Sequence, residues 1–290
     1  MRVLVTGASG QLGHDLTALL REQSMDVMAM NRRQLDLAQP DAMVRQLRAT
    51  APDWIINCAA WTAVDDAEQE VQQAFTINRD AVREMTACAD EMGARLLHLS
   101  TDFVFSGQSQ RPWCEEDPTA PLGVYGRSKR EGELAVLASP GHIVLRTSWL
   151  YGAHGKNFVK TMLRLARDRD ELKVVNDQAG SPTWTRDLAQ VIPVLMQEGA
   201  GGLYHFANTG ETSWYGFACA ILEEARMQGF DLRATKVTPI TTEDFPTPAT
   251  RPAYSVLSTE KIQGLLPAPI RDWRSALRLM LEELKQCPDC

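Results

Sequence analysis

The chain has no surplus of basic charge: 30 lysines and arginines stand against 37 aspartates and glutamates in 290 residues. No basic run is interleaved with aromatics, so nucleic acid is not an expected partner. No stretch approaches the roughly 18 consecutive apolar residues of a membrane span. The opening MRVLVTGASG breaks its short apolar run at glycine and shows no cleavage-site pattern. A cytoplasmic protein with no membrane partner is expected. Cysteines are few and scattered, at Cys58, Cys88, Cys114, Cys219, Cys287 and Cys290, which makes no disulfide framework. The terminal CPDC has metal-type spacing, but no second CxxC or paired histidine motif completes a four-ligand set. His14, His142, His154 and His205 likewise have no partners at metal-like spacing, and the residues predict no metal site. Internal repeats and low-complexity segments are absent.

What is present suits a large buried core: 44% of the residues are hydrophobic. The first half alternates short apolar runs (RVLVT, DVMAM, WIINCAA, RLLHLS, HIVLRTSWLY) with helical patterns (QLGHDLTALLREQ, PDAMVRQLRAT, a long stretch from about Val64 to Met92, and a helix opening near Val124). This is the signature of βαβ units, and it predicts an α/β fold: a Rossmann-type, doubly wound parallel sheet. Beyond Tyr151 the texture becomes mixed, and a smaller C-terminal substrate-binding lobe is expected there. The division is 1–150 for the dinucleotide-binding domain and 151–290 for the lobe. Part of 170–200, namely KVV at 173–175 and the helix after Thr185, is an alternative return to the sheet. The segment TTEDFPTPATRP, 241–252, holds three prolines and reads as an exposed loop of the kind that often serves as a lid or binding loop.

TGASGQLG places Gly7, Gly10 and Gly13 between the first strand and the first helix, the context a dinucleotide fingerprint requires. Glycines permit a tight turn and close backbone approach, and the free N–H groups of the helix start can bind a pyrophosphate. The spacing is GxxGxxG rather than the commoner GxGxxG. The second strand runs into Asn31, Arg32 and Arg33 with no acidic residue for an adenosine ribose, whereas paired arginines suit a 2′-phosphate. NADPH is therefore the expected cofactor, with NADH as the alternative. Asp36 and Leu37 follow that strand and can meet the adenine edge. Ala60, Trp61 and Thr62 follow the third strand, where small residues such as Ala60 leave room for a cofactor and packing is the bland alternative.

The fourth strand ends in Ser100-Thr101-Asp102, and its carboxyl end should face the same crevice. The pair in GVYGRSKREGE, Tyr125 and Lys129, is weak evidence alone, since five tyrosines and seven lysines produce a chance Tyr-x-x-x-Lys in about a tenth of such chains. Position strengthens it: residues four apart on a helix share a face, about 5 to 6 Å apart at Cβ. Reducing a ketone puts negative charge on its oxygen, which needs hydrogen-bond donors and then a proton. A phenol of pKa about 10 serves once a nearby cation favours its charged form. Lys129 can supply that cation and reach the nicotinamide ribose, while Thr101 can donate to the carbonyl oxygen. The alternative is that Thr101 and Asp102 cap a turn and Tyr125 packs beneath a loop. His98, inside an apolar strand, reads as a neutral core histidine, and Asp65, Asp66 and Glu68 as carboxylates favouring a helix dipole.

Taken in order, VTGASGQLG, NCAAWTAVDDAE, HLSTDFVFSG, YGRSK, RTSWLYG, NFVKTMLRLA, NDQAGSPT, GLYHFAN and TPATRP resemble the motifs of the extended short-chain dehydrogenase/reductase family, and within it the dTDP-4-dehydrorhamnose reductases. The resemblance spans nearly the whole chain, and the series from NFVKTML to NDQAGSPT is its most specific part. It implies NADPH-dependent reduction of the 4-keto group of dTDP-4-dehydro-L-rhamnose, for cell-surface polysaccharide. Alternatives are reduction of another 4-keto-6-deoxy nucleotide sugar, or a non-catalytic NADP-binding regulatory subunit. On matching positions it implies Gly10, Gln11 and Leu12 at the cofactor diphosphate, and Asp36, Leu37, Ala60, Trp61 and Thr62 along the cofactor. Tyr125 is the implied proton donor and Lys129 its partner, with Thr101 and Asp102 on the sugar and Trp149 beside the hexose. Arg251 and Asn157 fall to the nucleotide diphosphate region. Phe103, Gly123 and Trp61 depart from the family pattern. Some relatives bind magnesium at a dimer contact; the full acidic set is not matched here, so Mg2+ and a homodimer are left open.

Overall fold

The computed structural model describes residues 1–198 and 201–286; the CPDC tail lies outside them. The chain runs β1 (Arg2–Thr6), α1 (Gln11–Glu22), β2 (Asp26–Met30), α2 (Pro40–Thr50), β3 (Trp54–Asn57), α3 (Val64–Ala67), α4 (Val71–Phe75), α5 (Ala81–Met92), β4 (Arg95–Thr101), α6 (Val124–Leu137) and β5 (Ile143–Thr147). There follow β6 (Leu150–Tyr151), α7 (Phe158–Asp168), β7 (Glu171–Val175), β8 (Ala179–Gly180), β9 (Thr183–Trp184), α8 (Thr185–Gln197), β10 (Gly202–His205), β11 (Thr212–Ser213), α9 (Trp214–Met227), β12 (Lys236–Ile240), α10 (Glu260–Gln263) and α11 (Trp273–Gln286).

Six strands form one sheet in the order β10-β5-β4-β3-β1-β2, every neighbouring pair parallel. Strands covered on both faces must be apolar throughout, and β1, β3 and β5 are buried along nearly their whole length. One face packs Leu12, Leu16 and Leu20 of α1 against Leu188, Ile192 and Leu195 of α8. The other packs Met43 and Leu47 of α2 against Val82, Met85 and Ala89 of α5. A second apolar body gathers Val159 and Leu163 of α7, Phe217 and Ile221 of α9, and Leu277 and Leu281 of α11.

The second half of the chain contributes to both bodies. β7, which includes the KVV run, pairs with β12 and stays outside the main sheet, while α8 packs on α1 and β10 becomes the sixth strand beside β5. The expected long helix from Val64 to Met92 is also broken: α3 and α4 are short, and residues 76–80 form a π turn before α5. The wider turn presents Asn78, which accepts from the Trp61 N–H, donates to the Trp61 carbonyl and donates to the Ser128 hydroxyl of α6. Residue spacing does not reveal it, because a π turn adds a single residue to an otherwise helical pattern.

No helix among the described residues is long and apolar enough to cross a membrane. The four cysteines within them are free thiols. Leu188 is fully buried between α8 and α1. Leu188→Ala should lower the unfolding free energy by about 2–5 kcal/mol, read from the urea midpoint at unchanged slope; a loss under ~1 kcal/mol would contradict the helix–helix contact.

Candidate active site

The carboxyl ends of the parallel strands open into a cavity of about 760 Å³. Parallel sheets place their ligand crevice there, where strand order reverses from β1 outward. The glycine loop forms one wall. Gly7 sits at φ +63°, and a Cβ on it would lie 2.9 Å from the Ala59 nitrogen. A Cβ on Gly13 would fall 2.2 Å from the Gly7 oxygen, so helix and loop touch through backbone alone. The start of α1 has no side-chain cap and no acidic residue in its first turn, and its N–H groups are open to an anion. A dinucleotide diphosphate fits this cradle. Arg32, Asp36 and Leu37 line the cavity at one end, and Ala60, Trp61 and Thr62 line it further in. Asn31 instead borders an adjoining shallow pocket with Ser9, Arg32, Arg33 and Asp36, a basic recess at the tip of β2.

At the inner end stand Thr101, Asp102, Tyr125 and Lys129. α6 holds the last two, and its docking explains their position. The Val124 N–H at its first turn donates to Glu68 Oε1 (2.7 Å), a cap supplied from 56 residues away. A Cβ on Gly123 would meet that same carboxylate at 2.6 Å, so the glycine that departs from the family pattern is the one the cap accommodates. Gly126 and Gly132 let the helix lie against the carbonyls of Phe103 and Asn78. Phe103 sets its ring edge-on to Tyr125, 5.4 Å between centroids.

Burial governs the proton affinities. It pushes the Tyr125 phenol up to about 12, with the Thr101 hydroxyl pulling the other way. It pulls the Lys129 ammonium down to about 8, with Glu133 opposing. The Lys129 charge is therefore lost as pH rises through about 8 instead of near its ordinary value. The sequence expectation that Lys129 lowers the phenol's pKa is not met: desolvation and the Asp102 carboxylate raise it, only the Thr101 hydroxyl opposes them, and the amine bonds instead to the Leu99 carbonyl (2.6 Å) and to His98 Nε2 (3.2 Å). Asp102 is buried and raised to about 6, with the Ser255 and Thr101 hydroxyls opposing; its Oδ1 accepts from Thr101 Oγ1 at 2.9 Å. Thr101 also accepts from the Phe103 N–H, so it does cap the short turn after β4.

Trp149 lines the cavity in a left-handed conformation, φ +47°, that a bulky side chain adopts only when held. It is held by a face-to-face stack on Trp214 (3.5 Å, 7°) and by Gly180, where any Cβ would strike the indole. Trp214 and Lys156 also line the cavity but carry no sequence signal, because each is brought there by folding of the second half.

Besides Asn31, two expected residues lie off the cavity wall. Asn157 caps α7 by accepting from the Lys160 N–H, and its amide donates to Gln11 Oε1 and the Gly152 carbonyl. Arg251 makes a two-pronged ion pair with Asp65 (3.0 and 2.7 Å), so Asp65 anchors the proline-rich loop instead of serving only a helix dipole. His14 and His154, 140 residues apart, bring their rings to 3.5 Å and stand with Asp15 in a group whose ligand atoms lie within 4.8 Å. The sequence shows no partner for either histidine at metal-like spacing, and linear spacing does not report this contact, which folding makes.

Fold and site together define a nucleotide-cofactor-dependent oxidoreductase. The family model described as the RmlD substrate binding domain matches residues 1–286. The chain is 40% identical over 296 residues to the dTDP-4-dehydrorhamnose reductase of Burkholderia thailandensis, covering 98% of this chain and 99% of that protein. It is 44% identical to a Streptomyces antibioticus protein described as a probable dTDP-4,6-dihydroxy-2-methyloxan-3-one 4-ketoreductase, covering 96% and 94%. The crystal structure of the Bacillus anthracis dTDP-4-dehydrorhamnose reductase in complex with NADP superposes with a TM-score of 0.92 at 37% identity, covering 97% and 99%. The chain belongs to the dTDP-4-dehydrorhamnose reductase family.

Gly13→Ala should weaken NADPH binding by about tenfold or more, because the loop must move to admit the methyl group. Cofactor fluorescence titration checks this; affinity equal to the parent protein would contradict the cradle.

Proposed function

We propose that the protein reduces the 4-keto group of dTDP-4-dehydro-L-rhamnose with NADPH, giving dTDP-L-rhamnose for cell-surface polysaccharide. The observation that carries the reading is the convergence of Thr101, Tyr125 and Lys129 on the cavity that the glycine loop opens. The relatives' names and the NADP-bound Bacillus anthracis structure support it.

In this reading Gly7, Gly10, Gln11, Leu12 and Gly13 hold the cofactor diphosphate through backbone N–H groups and the α1 dipole. Arg32 and Arg33 border the recess at the tip of β2 and favour a 2′-phosphate. Ala60, Trp61 and Thr62 bound the cofactor's inner half. NADPH, when bound, supplies the hydride. Thr101 donates to the carbonyl oxygen and steadies the charge that develops there. Tyr125 passes its phenolic proton to that oxygen, and Lys129 in its ammonium form stabilises the phenolate left behind until solvent restores the proton. Asp102 accepts from a sugar hydroxyl, and the Trp149–Trp214 stack flanks the hexose. Arg251, engaged by Asp65, receives no role in substrate binding.

A second reading, reduction of another 4-keto-6-deoxy nucleotide sugar, is favoured by the 44% identity to the Streptomyces antibioticus protein. Turnover of a panel of keto-sugar nucleotides, with the product identified by mass spectrometry and NMR, separates the two.

Tyr125→Phe should lower kcat by about 10²-fold or more while NADPH affinity changes less than about twofold; near-parental turnover would remove the phenol from the mechanism. Replacing Arg32 and Arg33 together by alanine should bring kcat/KM for NADPH and NADH within about threefold of one another. An NADPH preference that survived the double change would place 2′-phosphate recognition elsewhere.

A further inference from the structure

Beneath Lys129 runs a buried polar chain that the reaction as described does not use. Thr6, Asn57 and His98 have no exposed surface, and Lys129 is 2% exposed. Thr6 Oγ1 donates to Asn57 Oδ1 (2.7 Å), Asn57 Nδ2 lies 2.9 Å from His98 Nδ1, and His98 Nε2 lies 3.2 Å from Lys129 Nζ.

Donor and acceptor roles along this chain are set from its far end. The Ala59 N–H can only donate, and it is shared between Asn57 Oδ1 (3.2 Å) and Thr6 Oγ1 (3.3 Å), so a donor turned toward it at position 57 would meet it head on. That oxygen is therefore the acceptor, and the Asn57 amide nitrogen donates to His98 Nδ1. A neutral imidazole accepting at Nδ1 carries its proton at Nε2. Nε2–H then faces Lys129, whose nitrogen also donates to the Leu99 carbonyl (2.6 Å). The arrangement is satisfied when Lys129 is a neutral amine whose lone pair accepts from Nε2–H. An ammonium there would set two donors head to head.

We propose that His98 is a positioning residue whose tautomer switches with the proton on Lys129: Nε2–H beside the neutral amine, Nδ1–H beside the ammonium. The second state requires His98 to give up its bond from Asn57, which Ala59 and Thr6 hold in orientation, so the chain Thr6–Asn57–His98 biases Lys129 toward its neutral form. No proton is created or lost within the pair: one proton enters from solvent when Lys129 charges, and the imidazole proton only changes nitrogen.

Other titratable and polar groups stand on α6 and on the elements around it. Tyr125 and Glu133 stand on its own helix, with Glu133 bonded to Arg146 of β5, Arg130 and Ser100. Asp102 follows β4, and the Cys58 thiol, pushed up to about 12 by burial, follows β3. From the 64–80 side come Glu68, bonded to the Val124 N–H, and Asn78, bonded to Ser128. Glu133 favours the ammonium and burial disfavours it.

The proposal rests on the reading of Lys129 as the partner of Tyr125, but its test uses no turnover, so the two can fail separately. The 15N spectrum of the histidine-labelled, cofactor-free protein would be followed from pH 6.5 to 10, with His98 assigned by its substitution. The expected result is Nε2–H at the alkaline end, changing to Nδ1–H as pH falls through the Lys129 titration. A single tautomer throughout, or an imidazolium, would overturn the proposal. Asn57→Asp keeps the acceptor for Thr6 and Ala59 and offers His98 Nδ1–H a carboxylate, so the tautomer midpoint should rise by about one pH unit or more. A midpoint that stayed in place would also overturn it, and the parental spectrum decides the matter alone if this variant does not fold.

Discussion

The site depends on one buried ion pair. Glu133 of α6 and Arg146 of β5 have essentially no exposed surface, and they meet through two parallel hydrogen bonds of 2.7 Å each. Two charges removed from water are tolerated only when their remaining lone pairs and protons are also satisfied. Here Ser100 and Arg130 complete the carboxylate, and His205 of the sixth strand takes the remaining arm of the guanidinium. Removing either partner would strand a buried charge, at a cost on the order of 3–5 kcal/mol. The pair thus fixes α6 against the sheet one turn from Lys129 and two turns from Tyr125. Through His205 it also ties β10, from the second half of the chain, to the helix that carries the chemistry.

From that constraint the rest of the site follows. Because α6 cannot shift, Tyr125 and Lys129 stay desolvated at the carboxyl edge of the sheet, and both are biased toward their neutral forms. A phenol that keeps its proton is ready to donate it, and charge on the lysine becomes sensitive to what lies against it. The glycine loop, Thr101 and the Trp149–Trp214 stack are walls placed around this fixed point by other elements.

Much of this was legible in the sequence wherever a short-range pattern carried the information. The alternation of apolar runs and helical repeats marks five sheet strands, TGASGQLG marks the loop, and the four-residue spacing of Tyr125 and Lys129 marks their common face. Features made by long-range folding were not. Glu68 reads as an ordinary dipole-favouring carboxylate, yet it caps a helix 56 residues on, and Gly123 looks like a departure until that cap is seen. Asn78 hides in a helical pattern because a π turn adds one residue without changing composition. Gly202–His205 is too short and polar to announce a sixth strand, and Trp214 enters the cavity only because α9 packs beside Trp149. His98 reads as a neutral core residue, and burial does hold its pKa well below the ordinary value; what lies against its two nitrogens is visible only in three dimensions.

Cavity, glycine loop and Tyr125 together imply transfer of a hydride from a reduced nicotinamide to the sugar 4-carbonyl. The most direct measurement is the fate of deuterium from NADPH deuterated at both nicotinamide C4 positions, with the product of a dTDP-4-keto-6-deoxy-L-sugar examined by NMR. One deuterium per turnover is expected, at sugar C4 and on a single face. Deuterium at another carbon, or none in a product formed while NADPH is consumed, would contradict it.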